Sequence, residues 1–572
     1  MFPAREPWTE AESDYGVVIT MFRRLSEDLR YGIILFALVI PLFGLGLSNH
    51  GLWTDDEPRV AEIGREMAVT GNWAVPSLNQ RPFLEKPPLY FWALAATFKA
   101  YGEASDRVAR IPSAVFGFGG AVAVFLLGRM LFGTKVGFIS AFVLATSFKY
   151  FRVSHWVLVD SALAFFVIVA MTAFMAGYQT DRWGAKFLYY MLFYVLCGLA
   201  FLSKGAIGLA FPGLGILVFL VFERNLKEVW KMRPWFGIAV LIAVFLPWLL
   251  ALWREGGSEF LDVFFVKNHL QRFIAGGSSG HHKPFYYYLP EFPASFLPWS
   301  LLLIPVLYWA FSKKVEAFPN KARRGLLFMK CWFMSGFLFL SIASTKRSIY
   351  LLPILAPISM LTACWLEAVL ESKTSPSRVD RFFLWGFGLL TLGVGLAVGP
   401  LNFYLSREWS GIFVAHWVFI VGLSLGSLNS LRERRISRFT FWAHATVFSL
   451  LIFILVWIPP SVDRYKSFVP FIRQVETIVK PETPLYAYMP DETLRGVVPF
   501  YTGRHMEEIH DGERLKAVLD RKDQVFVITM DRRGKIEEQV LSTARASTLI
   551  RQKTGGRRIC LLFTNRKQEI LE

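Results

Sequence analysis

The chain has 572 residues, of which 54% are hydrophobic and 19% are charged, and its formal net charge is +18. Long apolar runs recur along it, which excludes a soluble protein and predicts a polytopic α-helical membrane protein. Basic cytoplasmic loops explain the positive charge better than a nucleic-acid partner does, so no nucleic-acid partner is expected.

The N-terminal residues 1–30 are polar and include Arg23, Arg24 and Arg30, which predicts a cytoplasmic segment. The first apolar run, at 31–48, lacks a small-residue cleavage site and therefore indicates a retained anchor. With twelve later runs it makes about 13 predicted spans within a transmembrane domain at 31–459. The later spans are placed at about 107–131, 135–150, 159–178, 187–203, 205–222, 236–253, 294–312, 327–343, 349–369, 382–400, 412–429 and 440–458.

Alternating crossings place six loops on the cytoplasmic side, and each of the six is basic, which supports this number of spans. The same alternation collects residues from five loops or helix ends on the outer side. These residues are Asp56, Glu57, Arg59, Glu85, Lys86, Asp160, Lys204, His269, Arg272, Lys346 and Tyr350.

The first outer loop, 49–105, carries an acidic cluster beside the membrane. In Asp55-Asp56-Glu57, one carboxylate could act as a general base or bind a divalent cation, and an acidic helix start is the alternative. The spacing from Glu57 to Val69 predicts an amphipathic helix in the membrane interface. Pro88 to Phe98 is too short to span and predicts a half-buried or re-entrant helix.

Charged residues at the loop end and the helix ends are the next candidates. Glu85-Lys86 before Pro87-Pro88 is either a charge pair held at the interface or a solvated loop. Asp160 begins an apolar helix, where an acid usually faces protein or a cavity, or simply marks the helix end. Lys204 joins two apolar runs and could instead extend its ammonium to the interface.

Cations concentrated on the outer side predict an anionic partner at the membrane surface. Arg, Lys and Tyr side chains suit phosphate, so a lipid phosphate is expected, with nonspecific binding of anionic lipids as the alternative. His269 could bind a metal with Glu85, although a single histidine is more often only a hydrogen-bonding residue. No Gly-rich nucleotide loop follows a strand, so a soluble nucleotide donor is not expected. The outer-side set consists of Lys267, His269, Arg272, His281, His282, Lys283, Lys346, Arg347 and Tyr350.

The tail, 460–572, is polar and is predicted to form a small α/β domain on the outer face. Predicted helices cover Ser467 to Lys480 and Glu513 to Arg521. Predicted strands cover Pro484 to Tyr488, Val497 to Tyr501, Gln524 to Met530 and Arg558 to Phe563.

An ordered set of motifs between about residues 50 and 360 resembles the lipid A aminoarabinose transferase family. That family belongs to the GT-C membrane glycosyltransferases, which are related to protein O-mannosyltransferases. The motifs are TDDEPRVAEIGREM, GNWAVPSLNQRPFLEKPPLYFW, RVARIPSAVFG, LLGRMLFG, WVLVDSAL, FLSKG, FVKNHLQRF, HHKPFYYYLP and STKRSIYLLPILAP.

The resemblance implies a GT-C fold and a sugar donor linked to undecaprenyl phosphate, with inversion at the anomeric carbon. It implies that Asp56 is the base or acceptor-orienting carboxylate, with Arg59 beside it. Glu85 and Lys86 fill the Glu-Lys-Pro motif, where Glu85 is expected to be catalytic and Lys86 to orient the acceptor, and Asp160 is the second acid. The carrier phosphate is expected at Lys204, Arg272, Lys346 and Tyr350.

These expectations combine into an enzyme of the bacterial inner membrane with its active site facing the periplasm. The expected reaction moves 4-amino-4-deoxy-L-arabinose or a related sugar to lipid A or another envelope acceptor. Membrane lipids are further expected partners. A divalent metal is a possible cofactor, and Glu85 and His269 are its candidate ligands. Protein O-glycosylation is the alternative reaction. A transporter is less expected, because the charges lie at one face and no internal repeat is evident.

Overall fold

Apolar runs of the sequence form a helical bundle, and the polar tail forms a small α/β domain at one end of it. The structure is a computed structural model that describes residues 26–54, 56–271, 282–371, 376–532, 534–543, 546–555 and 558–566. Its α-helices are α1 (Glu27–Gly44), α2 (Asp56–Thr70), α3 (Leu89–Tyr101), α4 (Asp106–Phe132), α5 (Thr134–Ala145), α6 (Phe148–Val153), α7 (Asp160–Gln179), α8 (Trp183–Lys204), α9 (Ile207–Phe222), α10 (Glu228–Lys231), α11 (Pro234–Asp262), α12 (Tyr288–Ser295), α13 (Leu303–Ala310), α14 (Asn320–Ile342), α15 (Leu352–Glu371), α16 (Arg378–Ser406), α17 (Gly411–Arg432), α18 (Ile436–Lys466), α19 (Val469–Ile478), α20 (Glu492–Thr502), α21 (Gly512–Leu519) and α22 (Lys535–Thr543).

Shorter helical segments continue or connect several of these helices. A π-helical segment, Val263–Gln271, extends α11. The 3₁₀ segments are Phe285–Tyr287, Trp299–Leu302, Lys313–Ala317 and Ser348–Leu351.

Within the described residues, nine helices are long and apolar enough to cross a membrane, or ten if a bent pair counts as one span. The bent pair, Phe285–Ser295 and Trp299–Ala310, turns by 111° near prolines, which cannot donate a backbone hydrogen bond. The predicted spans at 31–48 and 205–222 coincide with α1 and with the shorter apolar helix α9. The chain is therefore a multi-pass membrane protein, as predicted.

The span predicted at 135–150 is not one continuous helix in the structure. Helix α5 has 12 residues and rises only about 18 Å, which is too short to cross hydrocarbon. At its end the hydroxyls of Thr146 and Ser147 donate to the carbonyls of Phe142 and Val143, each at 2.6 Å. The chain then restarts as α6.

Ion pairs join loops that were predicted to share the cytoplasmic side. Arg129 donates to Asp28, and Lys135 lies 2.8 Å from Glu367. At the same end, Lys186 Nζ lies 2.9 Å from Glu228 and Arg324 Nε lies 2.6 Å from Glu223. These contacts bring segments far apart in sequence to one end of the bundle, as alternating crossings require.

The first outer loop folds into α2, a short hairpin of β1 (Ser77–Leu78) and β2 (Arg81–Pro82), and α3. The predicted helix exists as α2. Glu57 and Glu62 on α2 are fully buried, since α3 packs on one side of the helix and α20 on another. Protein therefore covers the start of this helix.

The tail domain contains a five-stranded sheet in the order β4-β3-β5-β7-β6. Strand β3 is parallel to its neighbours β4 and β5, whereas β7 is antiparallel to β5 and β6. The strands are β3 (Leu485–Tyr488), β4 (Glu507–Ile509), β5 (Phe526–Asp531), β6 (Ser547–Thr554) and β7 (Arg558–Thr564).

Three predicted strands of the tail correspond to β3, β5 and β7, but the strand predicted at Val497 to Tyr501 was wrong. That segment lies in α20, where Leu494, Val497 and Val498 are buried at helical spacing. The side chain of Asp491 caps this helix by accepting from the backbone N–H of Leu494 at 2.9 Å. Both strands β4 and β6 were missed, as was α22.

Candidate active site

Two arginines hold the carboxylate of Asp56, the first residue of α2. Arg59, one helical turn later, donates to Oδ1, and Arg347 donates to Oδ2. Burial raises the pKa of Asp56, but the charges of Arg59 and Arg347 outweigh burial and hold it below its ordinary value. Asp56 is therefore an ionised carboxylate with both oxygens engaged.

A second buried ion pair joins Asp160 and Lys204. Asp160 is the first residue of α7 and Lys204 the last of α8, so these neighbouring antiparallel helices bring the two residues to one end. The Lys204 ammonium donates to Asp160, and the two residues are only 8% and 3% exposed. The same ammonium lies 4.1 Å from the ring centre of Tyr350, a cation–π contact.

Arg347 links the two ion pairs. Burial lowers the pKa of Arg347, but the carboxylates of Asp56 and Asp160 outweigh burial and raise it above its ordinary value. Two hydrogen bonds hold the loop that carries Arg347. Tyr288 donates to the Arg347 carbonyl at 3.2 Å, and Lys149 donates to the Ser348 hydroxyl at 2.8 Å. Arg347 thus pairs with Asp56 and lies in the electrostatic field of Asp160, which pairs with Lys204.

A cavity of about 550 Å³ opens beside Lys204. Its charged and hydroxylated end carries Glu85, Lys86, Lys204 and Tyr350, four of the residues that the sequence indicated. The other lining residues are mostly apolar, and they come from α9, α14 and the extension of α11. They are Ala206, Ile207, Ala210, Phe265, Asn268, Phe339, Leu340, Ala343 and Thr345.

Lys346 occupies a different position from its predicted partners. Its ammonium donates to the backbone carbonyl of Ala343 and, at 3.2 Å, to that of Lys283. Burial lowers the pKa of this lysine. Its neighbour Thr345 lines the cavity, whereas Lys346 does not. Lys346 therefore does not reach the cavity beside Lys204, where the donor phosphate was predicted to bind.

Several predicted residues lie outside the described part of the chain. Asp55, Arg272 and His281 belong to this group, as does the side chain of His269. Among the described residues, no group of three His, Cys, Asp or Glu side chains could hold a metal ion. The side chains around Asp56 do not suit a metal ion, because the carboxylates of Asp56 and Asp160 already pair with arginine and lysine side chains.

Glu57, the third residue of the acidic cluster, anchors the loop to the bundle. Its carboxylate accepts from the backbone N–H of Trp53 at 3.2 Å and pairs with Arg110 at 3.4 Å. Arg110 is fully buried and donates to the carbonyls of Leu47, His50 and Gly51, each at 2.8 Å. Helix α2 is thus fixed at its first turn.

The sequence carried no clear signal for two residues of the site. Arg347 was grouped with the outer cations without a role, because neighbouring Lys346 has the same charge. Glu492, in the tail domain, accepts from Arg59 and so reaches the Asp56 cluster from the far end of the chain. A pair 433 residues apart leaves no local pattern to find.

Known proteins are similar to this chain in sequence and in fold. The dolichyl-phosphate-mannose-protein mannosyltransferase family model matches residues 85–251. An undecaprenyl phosphate-α-4-amino-4-deoxy-L-arabinose arabinosyl transferase of Proteus mirabilis is 30% identical over 455 residues, covering 78% of this chain and 79% of that protein.

Solved structures confirm the fold. The crystal structure of ArnT from Cupriavidus metallidurans bound to undecaprenyl phosphate has a TM-score of 0.77 at 19% identity, covering 94% of this chain and 98% of that one. The Archaeoglobus fulgidus oligosaccharyltransferase in its apo form has a TM-score of 0.52 at 12% identity, covering 86% of this chain and 65% of that one. With the GT-C fold and the identity to the Proteus enzyme together, the chain belongs to the undecaprenyl phosphate-4-amino-4-deoxy-L-arabinose arabinosyl transferase family of membrane glycosyltransferases.

Proposed function

We propose that this protein transfers 4-amino-4-deoxy-L-arabinose from undecaprenyl phosphate to lipid A, with inversion at the anomeric carbon. The reaction takes place at the periplasmic face of the bacterial inner membrane. One observation carries the proposal: the buried ammonium of Lys204 stands at the polar end of a cavity whose remaining wall is mostly apolar. A polyprenyl phosphate has the matching chemistry, an anionic head on a hydrocarbon chain.

The donor phosphate is held by cations that are in place before it arrives. Lys204 is oriented by Asp160 and packed on the ring of Tyr350, while Lys86 lines the same end of the cavity. As the bond from the anomeric carbon to the phosphate oxygen breaks, its electron pair stays on the leaving phosphate. Preorganised cations stabilise that charge without reorganising, which is usually the largest catalytic contribution.

Asp56 and its arginines serve the acceptor side. The acceptor oxygen forms the new bond to the anomeric carbon as the phosphate leaves. Arg59 and Arg347 attract an anionic acceptor such as a lipid A phosphate, and Asp56 fixes both guanidiniums. Where the acceptor oxygen carries a proton, the ionised Asp56 carboxylate is the group that accepts it.

Reconstitution of the purified protein in liposomes tests the proposal. With undecaprenyl phosphate-linked aminoarabinose and lipid A, mass spectrometry should detect lipid A that carries the added sugar. Lys204→Met should reduce the product by about 10²-fold or more, because it removes a preorganised cation. Lys330→Met is a matched control, since Lys330 is a half-buried lysine that donates to the Ala310 carbonyl.

Two results would overturn the proposed reaction. Sugar found on a protein and absent from lipid A would favour the O-mannosyltransferase-like alternative, which the family model over residues 85–251 keeps open. Donor lipid that crosses the bilayer with no covalent product would indicate a transporter.

A further inference from the structure

The tail domain contributes a charge to the candidate active site. Glu492, the first residue of α20, accepts from one terminal nitrogen of Arg59, while the other terminal nitrogen donates to Asp56. One guanidinium is thus shared between a carboxylate of the membrane domain and a carboxylate of the tail domain. The side chain of Arg59 is 12% exposed and that of Glu492 is 45% exposed, so water screens this contact only in part.

The position of Glu492 is determined by its helix. Asp491 caps α20 and also pairs with Arg532 at 2.7 Å, which places the first turn of the helix. Glu492 is therefore held on the first turn of a capped helix, which orients its side chain toward Arg59.

Other contacts dock the tail domain without Glu492. Asn79 of the hairpin exchanges two hydrogen bonds with the backbone of Met506, both at 3.0 Å. Tyr501 accepts from the Leu52 backbone N–H at 3.0 Å and donates to Asp106 at 2.7 Å. Because these contacts hold the domain without Glu492, the charge of Glu492 has a separate effect on Arg59.

We propose that Glu492 is a positioning residue for transfer and acts on Asp56 through Arg59. The inference rests on the proposed role of Asp56 in the reaction. Without the Glu492 charge, Arg59 loses one of its two carboxylate partners and turns fully onto Asp56. The Asp56 carboxylate is then reoriented and more strongly paired, so it serves the acceptor less well.

Kinetics on full-length protein in liposomes test this role. Glu492→Gln should lower kcat by about tenfold, since small misplacements of a reacting group are costly. The donor KM and the melting temperature should stay near their wild-type values, because Glu492 touches neither the cavity nor the docking contacts. Glu492→Asp keeps the charge and should recover part of kcat.

A double-mutant cycle separates positioning from a general structural role. In an Arg59→Met background, Glu492→Gln should cause no further loss of kcat. Glu507→Gln is the matched control, because it removes a similar tail-domain ion pair, with Arg514 at 2.6 Å, that does not touch Arg59. It should leave kcat unchanged.

The outcomes distinguish the inference from the proposed function. An active wild type with an equally active Glu492→Gln variant would overturn the inference alone. The same holds if Glu492→Gln lowers kcat equally with and without Arg59. A wild-type protein with no transferase activity would overturn the proposed function and this inference with it.

Discussion

Arg347 donates to the carboxylate of Asp56, although 291 residues separate the two in the chain. This ion pair connects the start of the first outer helix, α2, with the loop that leads into α15. Because Arg347 also lies in the field of Asp160, it carries the connection on to Lys204 and the cavity. In the proposed function, one guanidinium therefore pairs with the acceptor-side carboxylate and lies in the field of the donor-side carboxylate.

The first prediction concerns the pH dependence of Arg347→Gln. Arg347 helps to hold the pKa of Asp56 below its ordinary value of 3.8, so removing the cation raises that pKa. Activity requires ionised Asp56 and is lost as the pH falls through its pKa, so the acid limb of kcat/KM should shift to higher pH. A pH–rate profile measures the limb, and Arg347→Lys should shift it less. An acid limb that stays in place would show that Asp56 is not the titrating group.

Asp56→Asn is expected to lower kcat by about 10²–10⁴-fold, the usual contribution of a positioned base. The donor KM should change little, because Asp56 does not line the cavity. Steady-state kinetics with purified protein measure both quantities, and a melting curve confirms that the variant is folded. Near-normal turnover in a folded variant would remove Asp56 from the mechanism.

The buried Asp160–Lys204 pair makes a separate prediction about stability. Either Asp160→Asn or Lys204→Met leaves one charge buried alone, at a cost of about 3–5 kcal/mol in unfolding free energy. The double variant removes both charges and should regain much of that stability without regaining activity. Thermal unfolding in detergent, read beside a transfer assay, checks both parts. A double variant that regained transfer would show that the lysine charge is dispensable.

Gly496 makes a prediction about how the tail domain docks. A methyl group at this position would lie 2.5 Å from the backbone nitrogen of Arg59 and 2.5 Å from the carbonyl carbon of Pro58. Since backbone atoms cannot move aside cheaply, Gly496→Ala should cost about 1–3 kcal/mol and reduce activity by tilting α20 away from α2. Gly512→Ala, with no atom within 4 Å of its added methyl group, is the control within the same domain. Equal melting temperatures for the two variants would contradict the close packing.

The sequence predicted which face each residue occupies, and it could not predict which residues pair. Alternating spans placed Asp160, Lys204 and Tyr350 on one side, because each residue lies at the end of an apolar run. Lys346 and Arg347 show the limit of this reasoning, because these adjacent cations have different partners. Lys346 donates to backbone carbonyls, whereas Arg347 donates to Asp56. That choice depends on side-chain direction, which a charge pattern does not contain.

The tail domain was harder to predict than the membrane domain. Membrane helices carry a strong signal because every residue of a span must be compatible with hydrocarbon. Val497 to Tyr501 is short, apolar and β-branched in part, so its pattern favours a strand although α20 buries it at helical spacing. Glu492 is one acid among many in a polar tail, and only the packing of α20 on α2 gives it a partner.

The shared guanidinium of Arg59 has a consequence for biosynthesis. Ribosomes add about 5–20 residues per second, so the 433 residues between Arg59 and Glu492 take on the order of a minute to make. Throughout that time the nascent chain has an incomplete catalytic centre, even after its early helices have entered the bilayer. On the proposed role of Glu492, the enzyme becomes fully competent only when its tail domain has been translocated and folded, and a prematurely terminated product would use the donor lipid less efficiently.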